Sequence, residues 1–275
     1  MTTPPYLGFG LGLRKEHYQA ILQEKPDIDF FEIISENYLI PGGKPLYYLD
    51  QIRAHYPIVM HGVSLSIGSV DPLDIGYLTA IKHLADRIQP AWISEHLCWT
   101  SVHKHNTHDL LPLPHLKDVV RHVSDRIQQV QDFLQRQILI ENVSSYVRYE
   151  IDEMMEWDFL AQVTDRADCF ILLDINNLFI NSYNHSFDPQ IYLENIPKHR
   201  VYQYHLAGHN QTKDALLDTH DATIIDAVWN LYQNACALFG KKVSTLIERD
   251  ADIPPLNMLL EELARAREIA RNILC

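Results

Sequence analysis

Seven short apolar segments of this chain each end in a histidine or a carboxylate side chain. Segments rich in Ile, Val, Leu and Phe are typical of buried parallel strands. One such strand end carries little information, but the recurrence at seven successive ends predicts that these ends converge on one polar site. The seven residues are Glu36, His61, His96, Glu141, Asp174, His205 and Glu248.

The residue types in this set indicate a metal centre. Imidazole and carboxylate ligands without cysteine suit iron, manganese or zinc. Asp218 and His220 in the motif D-T-H, and Asn177 just after the sixth strand, extend the set. So many ligands exceed what one ion needs and suffice for two or three, with Glu141 placed to bridge two ions and to act in catalysis. The metal-ligand candidates are His61, His96, Glu141, Asp174, Asn177, His205, Asp218, His220 and Glu248.

Each of these residues has an alternative interpretation when it is taken singly. A histidine at a strand end is more often hydrogen-bonded than metal-bound, and a pair of strand-end carboxylates would also suit a glycosidase-like barrel. Sugar hydrolysis needs no cluster of three histidines and no D-T-H motif, so the joint pattern favours metal.

Several neighbours of the ligand candidates could act on a substrate. Asp250, two residues past Glu248, would point to the same side of an extended chain, which makes it a candidate acid or base; a salt bridge to Arg249 or another base is the alternative. Other polar residues close to the strand ends could contact substrate or orient the ligands. These substrate-binding candidates are Glu36, Asn37, Asn142 and His209.

The elements that must position these residues alternate as strand and helix along the whole chain. We expect strands at 6–13, 30–35, 58–61, 91–95, 138–141, 169–174, 201–205 and 243–248. Helices are expected from about 15, around 47–52, and at 74–88, 114–136, 152–165, 189–195, 222–239 and 254–273. Eight such pairs without a linker predict an α/β fold, a single (β/α)8 TIM barrel domain over 1–275 with a metal site at its C-terminal mouth.

Two further segments stand out in this pattern. After the fourth strand we expect a long loop with a His-rich tract at 103–108, on the active face, where it could cover a substrate. The glycines Gly8, Gly10 and Gly12 have the wrong spacing for a dinucleotide-binding motif. They more readily allow a close approach by substrate or by a neighbouring strand.

Bulk composition excludes several classes of function. Lys plus Arg is 23 and Asp plus Glu is 36, which gives a net charge of −13, so nucleic acid is not an expected partner. We expect no membrane span and no secretory signal, which favours the cytoplasm. None of the cysteines stands in a C-x-x-C pair, and we expect buried, reduced thiols. These are Cys98, Cys169, Cys236 and Cys275.

The motifs together resemble the multinuclear non-heme iron-dependent oxidative enzymes, a family in the xylose isomerase-like TIM-barrel superfamily. The resemblance runs in order along nearly the whole chain. The motifs are HGVSLSIG (61–68), SEHLCW (94–99), IENVSSY (140–146), LLDINNL (172–178), HLAGH (205–209), DTHD (218–221) and LIERD (246–250).

The resemblance implies a distribution of the ligands among metal positions. One iron would be held by His61, His96 and Glu141. Glu141 would bridge to a second iron, whose other ligands would be Asp174, His205 and Glu248. A third, looser position would fall to Asn177, Asp218 and His220. In the endonuclease IV type of enzyme a histidine stands where this chain has Asn177, so the third position here has more oxygen ligands and is more hospitable to iron.

The same resemblance implies an activity. Two or three iron ions of mixed valence would use dioxygen as co-substrate to oxidise residues, commonly cysteine, of a ribosomally made precursor peptide, and a separate small peptide-recruiting protein could take part. A metal-dependent sugar isomerase or epimerase on the same barrel is the first alternative, although no lysine stands at the strand ends. A phosphodiesterase and a non-enzymatic metal-binding protein are the others.

Overall fold

The eight expected strands close into one parallel barrel. The computed structural model describes residues 3–103 and 105–274. Each strand pairs with its neighbours along the chain, and the last pairs with the first. In chain order they are β1 (Phe9–Gly12), β2 (Phe30–Ile34), β3 (Ile58–Gly62), β4 (Ile93–His96), β5 (Leu139–Glu141), β6 (Phe170–Asp174), β7 (Val201–Leu206) and β8 (Ser244–Ile247).

Helices surround this barrel and cover its outer face. Their buried residues recur at helical spacing, as in the third helix, where Leu78, Ile81, Leu84, Ala85 and Ile88 face the barrel. The α-helices of the described residues are α1 (Tyr18–Glu24), α2 (Lys44–Arg53), α3 (Ile75–Ile88), α4 (Lys117–Leu134), α5 (Glu156–Ala167), α6 (Ile175–Asn184), α7 (Pro189–Asn195), α8 (Asp226–Phe239) and α9 (Leu256–Leu274).

The structure differs from the expected elements at three places. Helix α6 follows β6 without a loop, because the Asp174 side chain caps it by accepting a hydrogen bond from the Asn177 backbone N–H at 2.7 Å. The expected long loop after β4 is instead an antiparallel hairpin, the mouth hairpin, formed by Trp99–Val102 and His105–Leu111. The observed ends of several strands and helices differ from the expected ends by up to four residues; α5, for example, starts at Glu156 rather than at 152.

The barrel interior is built in layers, because alternate residues of each strand point inward. Its floor is apolar and consists of Phe30, Val59, Trp92, Leu139, Leu172 and Leu246. Two residues further along each strand, the next layer toward the C-terminal mouth is polar. This alternation places His61 above Val59, Glu141 above Leu139, Asp174 above Leu172 and Glu248 above Leu246.

Gly10 in β1 makes room for this floor. It pairs with Phe30 of β2, and a Cβ added at Gly10 would lie 2.7 Å from the Phe30 ring. The sequence predicted that a substrate or a neighbouring strand approaches the glycines closely. At Gly10 the group that approaches is an aromatic side chain of the neighbouring strand.

Within the described residues, no helix is both long and apolar enough to cross a membrane. Cys98, Cys169 and Cys236 are buried and unpaired. Burial raises the pKa of the Cys169 and Cys236 thiols to about 12. Cys275 lies outside the described residues.

Candidate metal centre

Three of the candidate ligand atoms form a compact triangle in the barrel mouth. His61 Nε2 lies 3.2 Å and His96 Nε2 3.3 Å from the same oxygen, Glu141 Oε2, and the two nitrogens are 3.3 Å apart. Donor atoms about 2.1 Å from a common ion stand roughly 3.0–3.4 Å apart at octahedral or tetrahedral angles. The triangle therefore has the dimensions of one face of a metal coordination sphere.

Hydrogen bonds on the far side of each ring set the tautomers of His61 and His96. His96 Nδ1 is 3.1 Å from the carbonyl oxygen of Gly62, which can only accept, so Nδ1 carries the proton. His61 Nδ1 is 2.8 Å from Ser94 Oγ, and that hydroxyl donates its own proton to the Met60 carbonyl. Burial lowers the pKa of both rings. Both Nε2 atoms therefore present lone pairs to Glu141.

Glu141 reaches from this triangle to a second group. Its other oxygen, Oε1, lies 3.6 Å from His205 Nδ1, and the same nitrogen lies 4.0 Å from Asp174 Oδ2 and 2.9 Å from Glu248 Oε2. Ligand atoms of Glu141, Asp174 and His205 all lie within 4.8 Å of one another. One carboxylate thus faces two groups of donors, as a bridging ligand does.

A third group forms around His220. Its Nδ1 lies 3.2 Å from Glu248 Oε2, and its Nε2 lies 2.7 Å from Asp218 Oδ1 without the alignment of a hydrogen bond. Asp218 is held from behind, where Ser144 Oγ donates to its other oxygen at 2.9 Å. Ligand atoms of His220, Asp174 and Glu248 all lie within 4.8 Å of one another, and Asn177 contributes an amide oxygen without a hydrogen-bond partner.

The unsatisfied atoms of the interior concentrate at this centre. Buried polar atoms normally have a hydrogen-bond partner, because an orphaned one costs free energy. Among the described residues, several buried side-chain atoms without a partner belong to the candidate ligands and can bind a cation directly. These are Glu141 Oε2, Asp174 Oδ2, Asn177 Oδ1, His205 Nδ1 and His220 Nε2.

The electrostatics of the centre also favour a cation. Burial raises the pKa of Asp174 to about 7 and that of Glu141 well above its usual range. Burial opposes a charge on His205 and His220, but the surrounding carboxylates outweigh it and raise the pKa of both rings. The group thus attracts positive charge, and its N and O donors fit ions such as iron, manganese or zinc.

Asn142 holds a ligand rather than lining the cavity. Its amide donates to the Asp174 carbonyl at 3.0 Å and accepts from the Asp174 N–H at 2.9 Å. Asn177 in turn donates to the Asn142 carbonyl at 3.1 Å. These bonds hold the end of β5 against the start of α6. Asp174 is thereby fixed in a position where it both caps the helix and faces the centre.

The other candidate substrate contacts also lie outside the cavity wall. Glu36 accepts from the Val63 N–H and the Tyr77 hydroxyl, so its carboxylate points toward α3. His209 is buried, with Nδ1 2.7 Å from the Asn176 amide oxygen. Asn37 is exposed.

Asp250 does line the cavity, and it forms an ion pair. Its Oδ1 accepts from the Arg14 guanidinium, and its Oδ2 lies 3.5 Å from His220 Nδ1. The partner is thus Arg14, from the segment after β1, rather than Arg249.

A polar cavity of about 420 Å³ opens above the centre. Its floor includes His61, His96, Asn177, His220 and Glu248. Hydroxyl and amide groups line much of its wall, and the mouth hairpin forms one side. The hairpin residues of the wall are Asn106, His108, Asp109 and Leu110.

Glu32 belongs to the site although its sequence position did not mark it. Its Oε1 lies 3.0 Å from His205 Nε2, and it is 3% exposed. In the sequence, the candidate residue of this apolar segment was Glu36, at the end of the segment. The sequence signal that could have identified Glu32 is its spacing, since it follows the floor residue Phe30 by two positions.

The closed parallel barrel has the TIM-barrel fold, and solved sugar epimerases share this fold. The D-psicose 3-epimerase of Clostridium cellulolyticum H10 has a TM-score of 0.60 at 10% identity, over 97% of this chain and 99% of that one. The 3-keto-D-glucoside 4-epimerase YcjR of E. coli has a TM-score of 0.57 at 15% identity, over 95% and 99%. At these identities the likeness concerns the fold alone.

Sequence comparison identifies the family. The family model of the RiPP precursor modification enzymes MbnB/TglH/ChrH matches residues 8–271, and the chain belongs to this family. A UPF0276 protein of Caulobacter vibrioides (strain NA1000 / CB15N) is 51% identical over 270 residues, 97% of this chain and 96% of that protein. A UPF0276 protein of Anaeromyxobacter sp. (strain Fw109-5) is 51% identical over 263 residues, 96% and 93%.

Proposed function

We propose that this protein is an iron-dependent oxidase that uses dioxygen to modify a residue, cysteine by preference, of a ribosomally made precursor peptide. The observation that carries the proposal is the single carboxylate of Glu141 facing two groups of buried donors. Membership in a family that modifies such precursors supports the substrate class. The imidazole and carboxylate donors suit iron among other ions, and iron bound there would supply one-electron chemistry.

The proposed ligand assignment follows the donor groups. His61, His96 and Glu141 would hold one ion, and Glu141, Asp174 and His205 a second. His220, with Asp174 and Glu248, would hold a third, supported by Asp218 and Asn177. Bound iron would supply Lewis acidity that lowers the pKa of a substrate thiol, and the capacity to exchange single electrons with dioxygen.

The protein side chains prepare this chemistry. Ser94 Oγ and the Gly62 carbonyl hold the first two imidazoles with their Nε2 lone pairs inward. Asp250 lies on the cavity wall as a carboxylate paired with Arg14, and it would accept the proton that a substrate thiol releases.

The cavity suits a peptide better than a charged polymer. Ser64, Ser144 and Tyr146 bring hydroxyl groups to its wall, which can hydrogen-bond a peptide backbone. The mouth hairpin covers one side and would keep water from the reacting residue. The net charge of −13 favours a neutral or basic peptide segment.

Oxygen consumption tests this function. The protein is loaded anaerobically with ferrous iron, mixed with a cysteine-containing precursor peptide, and exposed to dioxygen, while peptide mass is followed. We expect dioxygen uptake and a mass change that require the peptide cysteine, since a Cys→Ser peptide removes the target. Glu141→Gln should abolish both signals. Anaerobic epimerisation of a ketose by the manganese form, without peptide oxidation, would contradict the proposal.

A further inference from the structure

His205 is oriented differently from the other two strand-end histidines. His61 and His96 present Nε2 to the centre, whereas His205 presents Nδ1. Its Nε2 points away from the centre, toward Glu32. The distance from this nitrogen is 3.0 Å to Glu32 Oε1 and 3.2 Å to Glu32 Oε2. The His205 ring is fully buried, and the Glu32 side chain is 4% exposed.

A chain of hydrogen bonds fixes the orientation of Glu32. The indole Nε1–H of Trp92 can only donate, so the atom of Gln203 that faces it at 2.6 Å is the amide oxygen. The Gln203 amide nitrogen then donates to Glu32 Oε2 at 2.6 Å. This bond leaves Glu32 Oε1 turned toward His205 Nε2. The floor residue Trp92 thereby sets the direction of a carboxylate in the layer above it.

We propose that Glu32 is a positioning residue that fixes the metal-binding nitrogen of His205. A charge-assisted bond from Nε2–H to the Glu32 carboxylate is stronger than a bond from Gln203 to a bare Nε2, which lies 3.0 Å away. When an ion binds, the ring therefore keeps its proton on Nε2, and Nδ1, which faces Glu141, Asp174 and Glu248, is the nitrogen that binds the ion. The inference rests on the proposed metal centre and is independent of the proposed oxidation.

Glu32 also distinguishes the metal positions from one another. The far-side acceptors of His61 and His96 are neutral, a hydroxyl and a backbone carbonyl, whereas that of His205 is a carboxylate. A carboxylate acceptor makes an imidazole a more basic ligand. We therefore expect His205 to bind its ion more strongly than a histidine held by a neutral acceptor.

Nitrogen NMR of the protein loaded with zinc tests the geometry directly, since zinc is diamagnetic and supports no oxidation. We expect the ¹⁵N shifts of His205 to show a metal-bound Nδ1 and a protonated Nε2, and those of His61 and His96 to show the reverse. A metal-bound Nε2 in His205 would overturn the proposal. Absence of zinc and ferrous iron binding would refute the metal centre itself.

Variants of Glu32 test its role in binding. In an anaerobic ferrous iron titration against a competing chelator, Glu32→Ala should weaken one ion by roughly 10–100-fold and leave another unchanged. Glu32→Gln keeps an acceptor oxygen and should weaken the same ion less. Glu156→Gln, which alters a half-buried carboxylate away from the centre, is the matched control and should bind iron as the unaltered protein does.

Two outcomes of that titration would contradict the positioning role. Equal and complete loss of one ion in both Glu32 variants would make Glu32 a ligand, as its proximity to His205 and Glu248 permits. Parallel weakening of every ion would instead indicate general damage to the barrel.

Discussion

His61 and His96 face each other through their Nε2 atoms at a distance of 3.3 Å, although both rings carry their proton on Nδ1. Two lone pairs at this distance repel, and 3.3 Å leaves no room for a water molecule between the two nitrogens. A shared cation removes the repulsion. The pair is therefore pre-organised for a metal ion, with Glu141 Oε2 as the third donor.

Loss of the Ser94 hydroxyl should weaken this first metal position. In Ser94→Ala, Nδ1 of His61 loses its acceptor, so the ring is free to carry its proton on Nε2 instead. We expect roughly 10-fold weaker binding of one ferrous ion, measured by chelator competition, with the secondary structure unchanged by circular dichroism. Ser124→Ala, at a buried serine that bonds the Val163 carbonyl, is the control. Equal affinity in Ser94→Ala and the unaltered protein would show that this bond does not set the tautomer.

Glu156 should make stability depend on pH. Burial raises its pKa from 4.5 to about 7, against the opposing hydrogen bonds from Tyr192 and Asn181. Between these values the folded chain holds a proton that the unfolded chain has lost, so the free energy of unfolding falls as pH rises through this window and is constant above it.

The size of this effect can be measured against Glu156→Gln, which does not titrate. Relative to that variant, the metal-free protein should lose on the order of 3 kcal/mol between pH 4.5 and 7. Urea unfolding of both proteins at several pH values gives the comparison. Parallel pH profiles would mean that folding does not raise the pKa of Glu156.

Gly10 should tolerate no side chain while Phe30 is present. A methyl group at Gly10 would meet the Phe30 ring at 2.7 Å, so Gly10→Ala should lower the free energy of unfolding by about 1–3 kcal/mol. In a Phe30→Leu background the same change should cost less, because the smaller side chain yields space. Urea unfolding of the four proteins measures the coupling, and identical costs in both backgrounds would refute the contact.

Periodicity made the barrel and most of the donor cluster predictable from sequence. Several polar residues of the centre follow a floor residue of the same strand by an even number of positions, as His61 follows Val59 by two and His96 follows Trp92 by four. The regular spacing of the motifs therefore predicted that the candidate ligands converge on one site. Which of these atoms bind metal stays a prediction.

The features that sequence did not reveal depend on contacts between distant segments. Glu32 lies inside an apolar run, and only the fold brings it against His205. Glu36, at the end of that run, is carried aside by the turn Ser35–Tyr38 to Tyr77 of α3. Helix α6 was hidden because it starts at Ile175, directly after the last residue of β6, with no Gly or Pro to mark a turn between them.

Metal content of protein purified without oxygen, read together with Mössbauer spectroscopy, tests the central claim most directly. The donor groups around Glu141 predict two or three irons per chain, with ferrous and ferric ions present together, and loss of that iron in Glu141→Gln. Stoichiometric zinc or manganese with no iron would contradict the oxidase and leave a different chemistry for the same centre.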